Sequence, residues 1–236
     1  MATGTEEITR MGDLYPRARV TGCEREFVAG VDLGMRRDPS AIAVIERCRS
    51  VYDVRDPVTW DFLSETRNVL THVERVPLGT PYAEVAERVW SVLDLGAGRW
   101  PGTLVVDETG VGAPVVEGLR RSGRGRGRGI VAVTITGGER SSVSGESHRV
   151  PKRDLVTGLQ VGFENRELEI ADGIPEMKLL ISELMGMRVK VTAAGHEKYE
   201  AWREGAHDDL VLAVALAWWR AGWKKPPPVW GTRRLL

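Results

Sequence analysis

Several aspartates lie at the ends of apolar segments, where an ionised side chain is costly unless a cation lies against it. Asp32 interrupts the apolar run Phe27–Leu33, and Asp107 ends a second run, TLVVDE. Asp208 and Asp209 open a third run, DDLVLAVALA. Because carboxylates at the ends of adjacent strands can converge on one spot of an open α/β sheet, these acids are candidates for a single site.

The chemistry that such a cluster could perform follows from its charge. Crowded carboxylates raise each other's pKa, and a hard divalent cation relieves the repulsion. Oxygen ligands suit Mg²⁺ or Mn²⁺ rather than zinc, and two such ions about 4 Å apart would support phosphodiester hydrolysis. In this scheme Asp32 bridges both ions and Asp107 holds one of them. Asp209 with Asp208 holds the other, and Glu108 is a reserve ligand.

The pair at the start of the third run also has a plainer explanation. Acids at a helix start gain from the helix dipole and cap free amides, so capping explains Asp208 or Asp209, taken alone, as well as metal binding does. A buried helix start rarely needs two acids, however. The sequence offers no basic residue of matching burial to pair with the cluster, which favours a metal site.

Hydrophobic periodicity predicts the elements that hold these acids. We expect strands at Phe27–Leu33 and Ser40–Cys48, joined by a polar turn, and a third strand at Asn68–Val76 that completes a meander. A helix beginning near Pro81 then leads to a buried strand at Gly102–Val106. The acids Asp32 and Asp107 would therefore end two strands of one sheet.

The second half of the chain alternates helices with short strands. A helix at Ala113–Arg121 and a strand at Ile130–Ile135 precede a Gly- and Ser-rich loop at Gly137–Arg149. Another helix begins at Pro151, and the apolar residues 210–219, rich in alanine, predict a buried helix that lies close against the sheet. Between them we expect a strand at Leu168–Ala171, a helix at Pro175–Met187 and a hairpin strand at Arg188–Thr192.

Basic residues that could follow DNA phosphates lie in two places. The stretch SGRGRGRGI alternates glycine with Arg124, Arg126 and Arg128, and a solvated low-complexity linker explains it at least as well. Lys152 and Arg153 lie in the first turn of the helix that begins after VP. These five residues are the candidate DNA contacts.

Composition limits the remaining possibilities. The 236 residues are 42% hydrophobic, and Lys plus Arg equals Asp plus Glu at 33 each, so a nucleic-acid surface must be a local patch. We expect a polar arm over 1–26, one domain over 27–223 and a basic, proline-containing tail over 224–236. The two cysteines lack metal-ligand spacing and no apolar run could span a bilayer, which predicts a reduced, cytoplasmic protein with no membrane partner.

Three motifs in this order resemble one family closely: GVDLG with Asp32, VVDETGVG with Asp107, and HDDLVLAVALA with residues 207–209. The family is the C-terminal nuclease domain of the large terminase subunit of tailed bacteriophages. The stretch VPKRDLVTGLQ, with Lys152, also looks like that family, and the resemblance covers roughly residues 27–220. It implies an α/β, ribonuclease H-like fold with a mixed central β-sheet flanked by α-helices. It also implies metal-dependent endonuclease cutting of double-stranded DNA during genome packaging.

The resemblance further implies roles and partners. Lys152 would lie near the scissile phosphate, although a surface lysine at a helix start is the simpler explanation, and His207 is a possible accessory residue. Terminase large subunits carry an ATPase motor, but this sequence contains no GxxxxGK[ST] phosphate loop. Either this sequence is the nuclease part alone or the motor is a separate polypeptide. In the second case a separate ATPase motor joins a small terminase subunit and a portal as the expected protein partners, in the host cell cytoplasm if the chain is phage-encoded.

Three other classes of protein fit parts of the pattern. A junction-resolving nuclease of the same fold would use similar acids on branched DNA. An actin-like or sugar kinase also begins with a strand like GVDLG, but it needs two such half-domains, for which 236 residues are too few. A non-catalytic DNA-binding or assembly module could keep the fold, but the presence of every acid in the pattern argues against it.

Overall fold

The computed structural model describes residues 14–34, 38–97, 102–110, 112–121, 129–144, 147–191, 197–201 and 207–222. The candidate DNA contacts Arg124, Arg126 and Arg128, half of the predicted N-terminal arm and the predicted tail at 224–236 lie outside these residues.

A mixed sheet forms the centre of the described part of the chain. Its strands are β1 (Val20–Asp32), β2 (Ala41–Arg55), β3 (Phe62–Arg75), β4 (Gly102–Asp107), β5 (Gly129–Thr136), β6 (Ser142–Ser144), β7 (Ser147–Pro151) and β8 (Leu168–Ile170). They are ordered β6-β7-β5-β4-β1-β2-β3-β8. The β1–β2, β2–β3 and β6–β7 pairs are antiparallel, and the other pairs are parallel.

Helices cover both faces of this sheet. They are α1 (Tyr82–Ala97), α2 (Gly112–Arg121), α3 (Lys152–Glu164), α4 (Met177–Gly186) and α5 (Asp209–Ala221). Side chains along β1 alternate between two cores: Val28 packs with α3, α4 and α5, whereas Ala29 and Val31 pack with α1 and α2. The predicted α/β fold, with a mixed central sheet flanked by helices, is confirmed. In the order β3-β2-β1-β4-β5, β2 is antiparallel to both of its neighbours.

The predicted meander is confirmed, but its strands are longer than predicted. The first begins at Val20 rather than Phe27, and the second continues to Arg55 rather than ending at Cys48. These extensions are polar, and cross-strand ion pairs such as that between Arg25 and Glu46, with Nε and Oε1 3.0 Å apart, line them. Charged ladders stabilise a hairpin without leaving an apolar alternation in the sequence, which explains the error.

The prediction of a loop at Gly137–Arg149 is confirmed for residues 137–141 but is wrong for Ser142–Ser144 and for the residues from Ser147 onward, which form strands. The strand β6 pairs antiparallel with β7, and β7 pairs parallel with β5, where Ala132 lies opposite Ser147. Serine and glycine favour turns in isolation, but here the exposed edge of β5 supplies backbone partners. The predicted hairpin after Met187 is confirmed: β9 (Met187–Val191) pairs antiparallel with β10 (Glu197–Ala201).

The predicted close contact between the alanine-rich helix and the sheet is confirmed. A Cβ atom placed on Gly30 in β1 would overlap the carbonyl oxygen of Ala213 and meet the amide nitrogen of Ala217, both in α5. The absence of a side chain at this position therefore sets the distance between α5 and β1. None of the helices in the described part of the chain is long and apolar enough to cross a lipid bilayer.

Candidate active site

Two of the predicted site residues end neighbouring strands. Val31 in β1 lies opposite Val106 in β4, so Asp32 and Asp107 follow at the same edge of the sheet. The negative charge of Asp107 helps to raise the pKa of Asp32, and Asp32 is only 9% exposed. The amide of Thr109 donates to Oδ1 of Asp107 at 2.8 Å and fixes that carboxyl group against the following turn. The convergence expected from the strand ends is thus present.

The other two aspartates begin α5, but Asp208 does not cap it. Asp208 occupies the N-cap position without any hydrogen bond from its side chain to the helix amides. Its Oδ2 instead accepts a hydrogen bond from Nζ of Lys152, at the start of α3, at 2.6 Å. The capping explanation for Asp208 is therefore wrong. Lys152 is 27% exposed along its side chain and belongs to the acid cluster rather than to the open surface.

The amides at the start of α5 are capped by a residue outside the predicted site. Oε2 of Glu183, in α4, accepts hydrogen bonds from the amides of Leu210 at 3.0 Å and Val211 at 3.2 Å. Glu183 is only 8% exposed. A sequence signal existed, because Glu183 follows the buried Leu180 by three positions and so lies on the packed face of its helix.

A basic residue does pair with the cluster, contrary to the expectation that none would be buried beside it. Arg75, the last residue of β3, is 19% exposed along its side chain. Its Nη2 donates a hydrogen bond to Oε1 of Glu183 and lies 3.6 Å from Oδ2 of Asp209. The expectation failed because Arg75 and Glu183 are 108 positions apart in the chain, and only the folded sheet brings them together.

A histidine and a further acid complete the cluster. Nδ1 of His207 lies 3.3 Å from Oδ1 of Asp38, in the turn after β1, and 3.7 Å from Oδ2 of Asp209. One ligand atom from each of these three side chains lies within 4.8 Å of the others, which is close enough for all three to hold one metal ion. Within the described residues, Nδ1 of His207 and Oδ2 of Asp209 are buried and have no hydrogen-bond partner. Asp38 lies in the polar turn that was predicted between the first two strands, Phe27–Leu33 and Ser40–Cys48.

The electrostatics of the cluster favour the arrival of a cation. Burial raises the pKa of Asp32 well above its ordinary value, and the negative charges of Asp107, Asp209 and Asp208 raise it further, against the opposing charge of Lys152. Burial also raises the pKa of Asp209 to about 6, although Arg75 and His207 act in the opposite direction. Repulsion of this kind is relieved either by protons or by a divalent cation. The unpartnered oxygen of Asp209 therefore fits a metal ion.

The remaining predicted residues lie at the edge of the site. Glu108 accepts hydrogen bonds from the hydroxyl groups of Thr134, at 3.1 Å, and Ser147, so one of its oxygens is occupied by β5 and β7. Nε of Arg153 lies 3.5 Å from Oδ1 of Asp154, and the side chain of Arg153 is more than one-third exposed. Its position on the surface leaves it accessible to a ligand.

The fold and the site together define a class: an α/β protein whose central sheet presents an acid cluster at one strand edge. No protein-family model and no curated protein sequence matches the chain. Its structure is similar to the large terminase nuclease domain of a Thermus phage, with 20% identity, coverage of 85% of this chain and 84% of that one, and a TM-score of 0.49.

Two further solved structures come from the same kind of protein. One is the human cytomegalovirus terminase nuclease domain, soaked with manganese, with 12% identity, coverage of 81% and 80%, and a TM-score of 0.46. The other is the large terminase of bacteriophage HK97, with 12% identity, coverage of 82% of this chain but 39% of that one, and a TM-score of 0.44. All three of these proteins are terminases, which is the kind of protein that the sequence motifs resemble.

Proposed function

We propose that the protein is a metal-dependent endonuclease that hydrolyses phosphodiester bonds of double-stranded DNA by a two-metal-ion mechanism, as in the cutting of viral DNA during genome packaging. The observation that carries the proposal is the enclosure of Asp32 by the charges of three other aspartates. These come from distant parts of the sequence, on β4 and α5. A purely structural role would not explain why so many like charges are brought together.

The residues divide into those that would hold a metal and those that would contact DNA. Asp32, Asp107, Asp208 and Asp209 would hold Mg²⁺ or Mn²⁺. His207 lies beside them, and its ring nitrogen is close enough to Asp209 to be a further metal ligand. Bound divalent ions supply positive charge that stabilises the attacking and leaving oxygens of a phosphodiester. The carboxylate oxygens of this set are the ligands that suit Mg²⁺ and Mn²⁺.

Lys152 would contact the phosphate next to the scissile bond. Its ammonium group is held by Asp208, and 27% of its side chain is exposed, so it can reach a ligand without leaving the site. Arg153, one position further on, would bind a phosphate farther along the strand. Contacts of this type read the backbone rather than the bases. Cutting should therefore show little sequence preference and should weaken steeply with added salt.

The expected protein partners follow from the same proposal. A terminase nuclease works beside an ATPase motor, and the sequence has no phosphate loop of the Walker type. A motor, a small terminase subunit and a portal would then deliver DNA to the site.

Plasmid cleavage tests the proposal. Supercoiled plasmid is incubated with the wild type in Mg²⁺, Mn²⁺ or a chelator, beside Asp32→Asn and Asp209→Asn. Asp61→Asn is the matched control, because it removes the same charge from an exposed acid in the turn between β2 and β3, at the end of that hairpin away from Ala41, which pairs with Asp32. We expect metal-dependent nicking and linearisation by the wild type and the control and none by the two site variants.

Two outcomes would change the proposal. A folded wild type that leaves the plasmid intact in both metals contradicts it and favours a binding or assembly module. Faster cutting of a four-way junction than of a linear duplex of equal length would instead favour the junction-resolving class.

A further inference from the structure

A buried polar network lies behind the acid cluster and involves none of the acids predicted from the sequence except Asp209. Its centre is Glu183, which projects from α4 and is 8% exposed. Burial raises the pKa of Glu183 to about 7, with Arg75 and the two helix amides opposing that shift. A buried carboxyl group is retained at such a position only when its partners compensate for the loss of hydration.

The two oxygens of Glu183 have different partners. Oε2 accepts the amides of Leu210 and Val211, the residues that directly follow Asp209. Oε1 accepts a hydrogen bond from Nη2 of Arg75. One side chain therefore holds both the helix start that carries Asp209 and the guanidinium group that faces it.

The distances show which carboxylate holds the guanidinium group. Nη2 of Arg75 is hydrogen-bonded to Glu183 but lies 3.6 Å from Oδ2 of Asp209, which is too long for a hydrogen bond. Among the described residues, Oδ2 of Asp209 has no hydrogen-bond partner at all. The arginine is thus near enough to fix the position of the Asp209 carboxylate by charge, yet it leaves this oxygen open.

From this geometry, and resting on the proposed function, we propose that Glu183 is a positioning residue for the metal site. It holds Arg75 back from Asp209 and anchors the first turn of α5. Oδ2 of Asp209 therefore stays in place and available to a divalent cation. Without the charge of Glu183, Arg75 would close onto Asp209 and compete with the metal.

Mn²⁺ binding, measured by isothermal titration calorimetry without DNA, tests this role. Glu183→Gln keeps an oxygen for the two helix amides but can no longer neutralise Arg75. We expect the variant to bind Mn²⁺ about tenfold more weakly, since changes to groups that orient a metal ligand reduce affinity by about 10–100-fold. The double variant Arg75→Gln/Glu183→Gln removes the competing cation as well and should bind within about threefold of the wild type.

Glu176→Gln is the matched control. Glu176 is the residue before α4 and accepts the backbone amide of Arg75 at 2.8 Å. The control therefore changes the net charge equally and alters a contact with the same arginine, but not one that faces Asp209. We expect it to bind Mn²⁺ as the wild type does, which separates a local effect at Asp209 from the general effect of one lost negative charge.

Plasmid nicking supplies a second readout that a merely structural role would not affect in the same way. For Glu183→Gln, excess Mn²⁺ should restore the maximal rate, because only the affinity for metal has fallen. A maximal rate that stays low at saturating Mn²⁺ would contradict a positioning role. So would wild-type Mn²⁺ affinity in Glu183→Gln, or a double variant that binds no better than the single one.

The remaining outcomes of these experiments also decide between the two proposals. If circular dichroism shows that Glu183→Gln is unfolded, Arg75→Gln, which removes the competing cation and keeps Glu183, is compared with the wild type. We expect it to bind Mn²⁺ at least as tightly as the wild type, because no guanidinium group is left to close onto Asp209, and weaker binding would overturn the inference. If the wild type binds Mn²⁺ but does not cut DNA, the nuclease proposal fails while the positioning of Asp209 is still decided by the binding data. A wild type that binds no Mn²⁺ overturns both.

Discussion

The close contact between Gly30 and α5 predicts that a larger residue at this position will destabilise the protein. In Gly30→Ala the new methyl group would overlap the backbone of Ala213, and a backbone atom cannot turn aside as a flexible side chain can. Inserting a methyl group into a well-packed core costs about 1–3 kcal/mol, and we expect the upper end of that range here. For a chain of this size a loss of about 2–3 kcal/mol lowers Tm by about 5–10 °C.

Gly22→Ala is the internal control for that substitution. Gly22 lies in the same strand, but a Cβ atom there would have no heavy atom within 4 Å, so its free energy of unfolding should stay within about 0.5 kcal/mol of the wild type. Urea unfolding followed by tryptophan fluorescence measures both variants. Because Asp32 is only two positions beyond Gly30, the Gly30→Ala variant should also bind Mn²⁺ more weakly. Equal stability of the two variants would refute the close packing of α5 on β1.

Three other predictions concern charge, DNA contact and the thiols. A carboxyl group whose pKa is higher in the folded than in the unfolded state stabilises the fold below the unfolded value and loses that effect as pH rises through the folded value. Burial raises the pKa of Asp209 to about 6, so the Tm of the metal-free wild type should fall more between pH ~5 and ~7 than the Tm of Asp209→Asn does. Curves of Tm against pH that run parallel for the two proteins would contradict this. Lys152→Met should lower cleavage about a hundredfold while the fold persists, whereas the exposed Lys178→Met should cleave as the wild type does; equal rates for the two would remove Lys152 from the site. The Sγ atoms of Cys23 and Cys48 lie 2.8 Å apart, so oxidised glutathione should convert both thiols into one intramolecular disulfide, and two thiols that still titrate after oxidation would contradict the geometry.

Periodicity and strand-end chemistry predicted the parts of the site that depend on local sequence. Asp32 and Asp107 each end an apolar strand, and the pairing of Val31 with Val106 brings them together as expected. The helix that begins at Asp209 was equally readable, because its apolar run is uninterrupted. In these cases the burial pattern of a short segment is enough to fix where its acid must lie.

The contacts behind the acids were not readable from the sequence, because their partners are distant in the chain. Arg75 and Glu183 lie on β3 and α4, and no local pattern joins a strand end to a helix face 108 positions later. Tertiary pairing also made strands of Ser142–Ser144 and Ser147–Pro151, whose residues favour turns when considered alone. Where the open edge of a sheet offers backbone hydrogen bonds, these bonds outweigh the preference of single residues for turns.

An anomalous difference map from a crystal soaked in Mn²⁺ would locate the bound metal itself. We expect anomalous peaks within ligand distance of the carboxylates of Asp32 and Asp209, and their loss from crystals of Asp32→Asn. A map whose manganese peaks all lie away from these carboxylates, at a soak concentration that supports DNA cleavage, would contradict the assignment of this acid cluster as the metal site.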